Sequence, residues 1–249
     1  MLLDKGIEAY GLGIYLPAHK TVVLSDLHLG IEDALARGGV LVPRQHYKEL
    51  LARVERILTR CGADKGKVTT VVLNGDLKHE FGRISDLEWR EVKRFVDAMH
   101  KRGLDVVVVK GNHDVMLEPI ARERKLEIVN AYKAGDILIV HGDSPIPAKA
   151  LKGVKTIIAG HEHPCVVLRG GPRSERFKCF VLTSHRRVSL VLQPSFGPLT
   201  MGMDVLRQPS QGPLVKGLIK EGEIFVVDEE NDGVLNFGEI AALRKKQGG

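Results

Sequence analysis

Five short polar clusters, each directly after an apolar, β-branched run, constrain this chain more than any other feature. Asp26-Leu27-His28 follows residues 21–24, and Gly75-Asp76 follows residues 68–73. Gly111-Asn112-His113-Asp114 follows 105–109, His141-Gly142 follows 137–140, and Gly160-His161-Glu162-His163 follows 156–159. Short runs rich in Val and Ile read as buried strands, so each cluster is predicted where a strand ends. Such ends gather along one edge of a sheet, which is where open α/β sheets carry function. Between these runs, Tyr47, Leu50, Leu51, Val54, Ile57 and Leu58 recur at helical spacing in a segment opened by Pro43 and running to about Arg60. Leu87, Val92, Phe95, Val96 and Met99 do the same over roughly residues 86–102, with Gly103 as the stop. Alternating strand, loop and helix over the first 160 residues predicts an α/β fold.

After His163 the pattern changes. Residues 165–168, 177–182 and 188–192 read as strands, and 222–228 with 233–237 as a late hairpin, so the second half is expected to be mostly antiparallel β packed on the first. Residues 194–217, rich in Pro and Gly, are expected to be the least regular, and the 244–249 tail to fray. No repeat or linker divides the chain, so residues 1–249 are expected to form one domain. Cys61, Cys165 and Cys179 show no CxxC spacing, which argues against a disulfide framework and fits a reducing cytoplasm. No signal-type leader is apparent and no run approaches the ~18 apolar residues of a membrane span, so a soluble cytoplasmic protein without membrane contact is expected. A formal charge of +6 is compatible with a polyanionic partner and equally with a solvated basic surface.

Hydrolysis of a phosphoester near neutrality needs hydroxide, an offset for phosphoryl charge and a stabilised leaving oxygen. A pair of divalent ions about 3.5–4 Å apart can do much of this. Asp26, His28, Asp76, Asn112, His141, His161 and His163 offer carboxylate, amide and imidazole donors. That mixed N/O set suits manganese, iron, zinc, cobalt or nickel better than magnesium or calcium. In an extended segment, residues i and i+2 point the same way, so Asp26 and His28, or His161 and His163, are expected to face one cavity. Singly, each cluster is most often a turn or surface residue; the complete ordered set is improbable by chance.

The order DxH…GD…GNHD…H…GHxH resembles the calcineurin-like metallophosphoesterases over residues 26–163. The resemblance implies a four-layer sandwich in which two mixed β-sheets pack face to face, flanked by helices. It implies Asp26, His28 and His163 on a first metal, Asn112, His141 and His161 on a second, and Asp76 bridging both. Asn112 and His113 would meet the substrate, and His113 would protonate or stabilise the leaving oxygen. Asp114 would be structural or a partner to that loop in catalysis. The GDxxH and GNHD forms (Gly75 to His79, Gly111 to Asp114) look like the SbcD-type DNA-repair nucleases and their small archaeal relatives, rather than the protein Ser/Thr phosphatases. His79 would then pair with His113 or contact substrate, with a plain polar loop residue as the equal alternative. The long SbcD-type nucleases carry a capping DNA-binding domain for which this chain leaves little room. The implied function is a two-metal phosphodiesterase or nuclease, manganese-dependent in first instance, acting on DNA, RNA or a smaller phosphodiester. A phosphomonoesterase, a non-catalytic scaffold of the same fold, and a nuclease working with a helicase or ATPase partner are the alternatives.

Two further features have local readings. Residues 228–239 nearly fit an EF-hand loop, but a strand-like run precedes them and Asp232-Gly233 favours a hairpin. Arg169, Arg173, Arg176, Lys178, Arg186 and Arg187 could line a nucleic-acid groove or be exposed hairpin residues; without interleaved aromatics, no base-stacking platform is indicated.

Overall fold

The structure is a computed structural model, and it describes every residue except Arg44, Gly171, Pro172, Arg186, Met201, Gln211, residues 216–218, Gly248 and Gly249. Strands β1 (Leu2–Asp4), β2 (Ile7–Tyr10), β3 (Gly13–Leu16), β4 (Thr21–Ser25), β5 (Thr70–Asn74), β6 (Asp105–Val109) and β7 (Glu127–Val129) lie side by side in that order. The first four form an antiparallel meander, and β4 to β7 run parallel. The parallel part needs crossovers. They contain α1 (Ile31–Arg37), α2 (His46–Arg60), α3 (Asp86–Lys101) and α4 (Glu118–Arg124). The apolar faces of α2 and α3, including Leu50, Val54, Val92 and Phe95, join the same core as Val71, Val72 and Leu73 of β5. A capping box starts α3: the Ser85 hydroxyl accepts from Glu88 N, and the Glu88 carboxylate accepts from Ser85 N.

The second sheet contains β8 (Tyr132–Ala134), β9 (Ile137–Val140), β10 (Thr156–Ala159), β11 (Pro164–Gly170), β12 (Arg173–His185), β13 (Val188–Leu192), β14 (Met203–Asp204), β15 (Glu223–Asp228) and β16 (Gly233–Glu239). Its parallel centre is β9-β10-β13, and most of the remainder is antiparallel, as expected for the second half. Side chains divide with the two-residue period of a strand. Ile139, Ile158, Phe180, Val191 and Phe225 join the core shared with the first sheet. Their neighbours Leu138, Ala159, Val181, Leu192 and Ile224 join a second core, closed by Val205, Leu206, Val215, Ile219 and Ile240. The expected sandwich of two mixed sheets flanked by helices is therefore present. On the second sheet, much of the covering layer is irregular chain, and among the described residues α5 (Ile240–Gln247) is its one α-helix.

Three expectations change. The first 20 residues contain three strands that sequence reading did not assign, because each is only three or four residues long and buried by its neighbours. The described residues of 194–217 are irregular as expected apart from β14, yet Val205 and Val215 are buried in the second core. The tail is not frayed at Arg244, whose guanidinium donates to the carbonyls of Leu206 and Val205 and anchors α5; Gly248 and Gly249 lie outside the described residues. The β15–β16 connection is a hairpin and not a calcium loop. Asp232 pairs with Arg56 at 2.7 Å, and the Asp228 carboxylate is taken up by Glu230 and Asn231. Lys178 is turned inward and donates to the main chain at Ser195 and Gly197, while exposed Arg176 donates to Gly202 O; Arg186 lies outside the described residues. No helix among the described residues is long and apolar enough to cross a membrane.

Helix α3 also braces the loop behind the first cluster. Buried Glu91 accepts from Gly30 N at 3.0 Å. Burial, only partly offset by that hydrogen bond, pushes its carboxyl up to about 7. An acid whose folded pKa is raised costs stability wherever it is ionised, and costs nothing below its unfolded value. Glu91→Gln keeps an acceptor for Gly30 and removes the charge. It is expected to raise Tm at pH 8 and to leave it nearly unchanged at pH 4.5, read by thermal melts at both values.

Candidate metal centre

All five clusters leave the carboxyl ends of their strands, and the two facing sheets bring them together. Asp26 and His28 follow β4, Asp76 follows β5, Asn112 and His113 follow β6, His141 follows β9, and His161 and His163 follow β10. Adjacent loops remain tied after the strands end. Asp26 N donates to Gly75 O at 3.1 Å, His28 N to Asp76 O at 2.9 Å, and Gly160 N to His141 O at 2.9 Å.

The expectation of an extended Asp-x-His and His-x-His is corrected here. Asp26, His28, Asp76, His161 and His163 all have φ between 46° and 66°, in the left-handed region that non-glycine residues rarely enter. The backbone turns at each of these residues, and it is this turning that aims them at a common point. Buried Leu27, Leu29 and Leu77, interleaved with the polar residues, hold the strained segments in the core.

Two groups of donors that share Asp76 result, and a third, His28, His79 and His113, adjoins the first through His28. Donor atoms of Asp26, His28, Asp76 and His163 lie within 4.8 Å of one another, as do those of Asp76, His141 and His161. In the first group, His163 Nε2 is 3.0 Å from Asp26 Oδ1 and 3.3 Å from His28 Nε2. In the second, His141 Nε2 is 3.0 Å from Asn112 Oδ1, 3.2 Å from His161 Nδ1 and 3.4 Å from Asp76 Oδ1. Asp76 is common to both, with Oδ2 3.9 Å from His28 Nε2. Imidazole nitrogens and carboxylate oxygens packed this closely need a shared cation or proton, so the residues present fit a metal pair. Asp26, His28, Asp76 and His141 are buried, while Asn112, His113, His161 and His163 are partly exposed, so the centre is walled on one side and reachable on the other.

The electrostatics follow from that packing. Burial would raise Asp26, but His163, His141 and the Ser25 hydroxyl (2.5 Å from Oδ2) bring it down to about 2. Burial likewise works against Asp76, and the hydrogen bond and charge of His141 lower it. Burial lowers His141, yet Asp76 and Asp26 outweigh it and push the imidazole up to about 9. Burial and the charge of His163 drive His28 well below its usual value, and burial with His141 lowers His161. His28, His161, Asp26 and Asp76 are thereby held in the forms that bind metal, whereas His141 holds a proton that a metal ion would have to displace.

The remaining predicted residues lie around this centre. The His113 ring nitrogen Nδ1 donates to the carbonyl of His79, and Nε2 is 3.7 Å from Asp76 Oδ2. The His79 ring lies beside those of His28 and His113, its Nδ1 3.4 Å from His28 Nδ1 and its centroid 5.7 Å from that of His113, so His79 meets His113 through ring and main chain. Asp114 does not face the centre's donors. Its buried carboxylate accepts from Gly111 N and Leu77 N at 3.0 Å, and clamps the GNHD loop to the GD loop.

Sequence reasoning missed the supports. Buried Glu88 accepts from His79 N and Glu80 N, and the fully buried Lys78 donates to the carbonyls of Glu80 and Arg83, so two opposite charges shape the loop that carries His79. The Ser85-x-x-Glu88 spacing was the available signal for Glu88. Behind Asp26, the Ser195 hydroxyl and Gly197 N donate to its carbonyl, and Lys178 holds the carbonyls of Ser195 and Gly197. Nothing local in the sequence marks that contact, which spans 169 positions.

Gly75 has φ +77°, and a Cβ there would stand 2.1 Å from His141 Nδ1. Gly75→Ala combines left-handed strain with a collision against a donor. It is expected to destabilise the fold by about 2–4 kcal/mol and to abolish metal uptake, read by urea denaturation and metal analysis.

Donor groups that share one carboxylate, at the joined edges of two facing sheets, define a metal-dependent hydrolase of phosphoesters as the class to which fold and site point. The chain belongs to the calcineurin-like phosphoesterase family, whose sequence profile matches residues 19–150. The match stops before His161 and His163, so those two join the centre on geometry. Among solved structures, the chain is similar to the Pseudomonas putida nuclease MPE at 22% identity, covering 90% of this chain and 91% of that one with a TM-score of 0.61. It is similar more loosely to YfcE, a phosphoesterase from E. coli, at 15% identity, 86% and 95% coverage and a TM-score of 0.43. No curated protein matches the sequence.

Proposed function

We propose that the protein is a dinuclear metal-dependent phosphodiesterase acting on nucleic acid or a smaller phosphodiester. The carrying observation is Asp76, a single buried carboxylate with one oxygen toward His28 and the other toward His141. Asp26, His28 and His163 would hold one ion and Asn112, His141 and His161 the other, with Asp76 between them. Bound there, the ions supply a water of lowered pKa and positive charge against the phosphoryl group. Manganese is the first choice for this donor set.

The other residues serve the leaving oxygen. With Nδ1–H engaged by the His79 carbonyl, Nε2 is the nitrogen left to exchange a proton, and His113 acts as an acid there only as the imidazolium, which returns to the Nδ1–H neutral ring after transfer. From there it protonates the departing oxygen as general acid. His79 orients that ring, and Asp114 fixes the loop on which Asn112 and His113 stand. The diester preference draws support from the GDxxH and GNHD segments, which resemble those of SbcD-type nucleases, and from the similar fold of the Pseudomonas putida nuclease MPE.

The test is hydrolysis of bis(p-nitrophenyl) phosphate and of p-nitrophenyl phosphate by metal-free protein titrated with manganese. Saturable, metal-dependent turnover favouring the diester is expected. Preference for the monoester would make the protein a phosphomonoesterase, and no turnover of either, with metal bound, would leave a scaffold.

A further inference from the structure

A cavity of about 680 Å³ opens beside the second donor group, with Asn112 and His141 in its wall. We infer that it is a subsite for the nucleotide flanking the scissile phosphate of a single-stranded polynucleotide, in which Lys110 and Lys149 bind the neighbouring phosphate. The inference rests on the phosphodiesterase reading and adds to it the substrate class and the side on which the chain lies.

Position comes first. A phosphate held at Asn112 and His141 has a substituent that must leave the centre somewhere, and this cavity begins at those two side chains. Its volume is that of a small-molecule site rather than of a single ester group.

Charge comes second. Lys110 and Lys149 line the cavity, and neither ammonium has a hydrogen bond or ion-pair partner among the described residues. Lys110 extends from the end of β6, its main chain pinned by a 2.8 Å bond to Val129 O, and Lys149 stands in the short turn Ala148–Leu151. The lining therefore has two lysines against one carboxylate, Asp143. On the His161 and His163 side, the opening is about 280 Å³, contains Glu162, and has no lysine or arginine among its described lining residues. A polyanion is therefore drawn to the Lys110 side.

Apolar surface comes third. Val115 is 52% exposed, next to the GNHD loop, and forms part of the same wall with Ile146. A side chain of this kind left in water gains by covering a sugar or base face. Lysines for a phosphate beside an apolar strip for a nucleoside are what a flanking nucleotide requires, and a small diester uses neither.

The experiment compares wild type with Lys110→Ala, Lys149→Ala and the double variant, all manganese-loaded, on a single-stranded oligonucleotide and on bis(p-nitrophenyl) phosphate. For the double variant, kcat/KM on the oligonucleotide is expected to fall at least tenfold, and on the small diester to stay within twofold. The slope of log KM against log salt is expected to flatten by about 0.7 for the one phosphate no longer neutralised. Unchanged oligonucleotide kinetics, or equal losses on both substrates, would overturn the subsite. A wild-type protein that cleaves the small diester but no oligonucleotide would overturn it and leave the phosphodiesterase reading standing. A protein that cleaves neither would remove both.

Discussion

Asp76→Asn is expected to reduce bound manganese from two ions per chain to one or none, and to lower kcat/KM for a phosphodiester on the order of 10³-fold or more. That loss corresponds to more than about 4 kcal/mol of transition-state stabilisation. The size follows from position. Asp76 is the residue shared by the Asp26–His28–His163 and His141–His161 groups, so in the proposed two-metal centre its charge would support both cations. Asparagine keeps the shape and an oxygen for the 3.0 Å bond from His113 N, so the loop should stay in place while the charge is lost. In the metal-free protein the same substitution withdraws the hydrogen bond and charge that raise His141, so that imidazole should titrate below about 9. Metal analysis with kinetics reads the first effect, and histidine NMR titration the second. Two tightly bound ions and an undiminished rate in the variant would show that Asp76 is not the bridge.

His113→Ala is expected to keep both ions and lose about 10²–10⁴ in kcat on an oligonucleotide or alkyl diester, the range of a general acid. The loss should shrink on p-nitrophenyl esters, whose leaving phenolate needs little help from a proton. Uniform loss on good and poor leaving groups would mean that His113 acts on the phosphoryl group rather than on the departing oxygen. His113 stands 3.7 Å from Asp76 and outside the groups that contain Asp76, yet its donors lie within 4.8 Å of those of His28 and His79, so bound metal is counted in the variant alongside its kinetics. His113→Gln is the control, since a side-chain amide can still donate to the His79 carbonyl without carrying a transferable proton.

The strands ending at the clusters were legible because burial and β-branching are local properties. Residues 105–109, 137–140, 156–159 and 188–192 form strands with the bounds read from the sequence. The donor types were legible for a similar reason: metal chemistry restricts them to carboxylate, amide and imidazole, and all seven candidates gather at the centre. The left-handed turns at Asp26, His28, Asp76, His161 and His163 were not legible. Backbone sterics disfavour them, and only the packing of Leu27, Leu29 and Leu77 below and the tied loops beside them keep them there. The short N-terminal strands escaped because each borrows its stability from the strand alongside.

Sequence alone determined which chemistry the chain can support and at which strand ends the donors stand, since both depend on residue identity and short-range pattern. Only the tertiary structure decided that one carboxylate serves two donor groups, that Ser195 and Gly197 reach across the molecule to brace Asp26, and that two lysines and an apolar strip open on one side of the centre. Those relations depend on the register of two sheets packed face to face, an arrangement fixed by the whole core and encoded in no single segment.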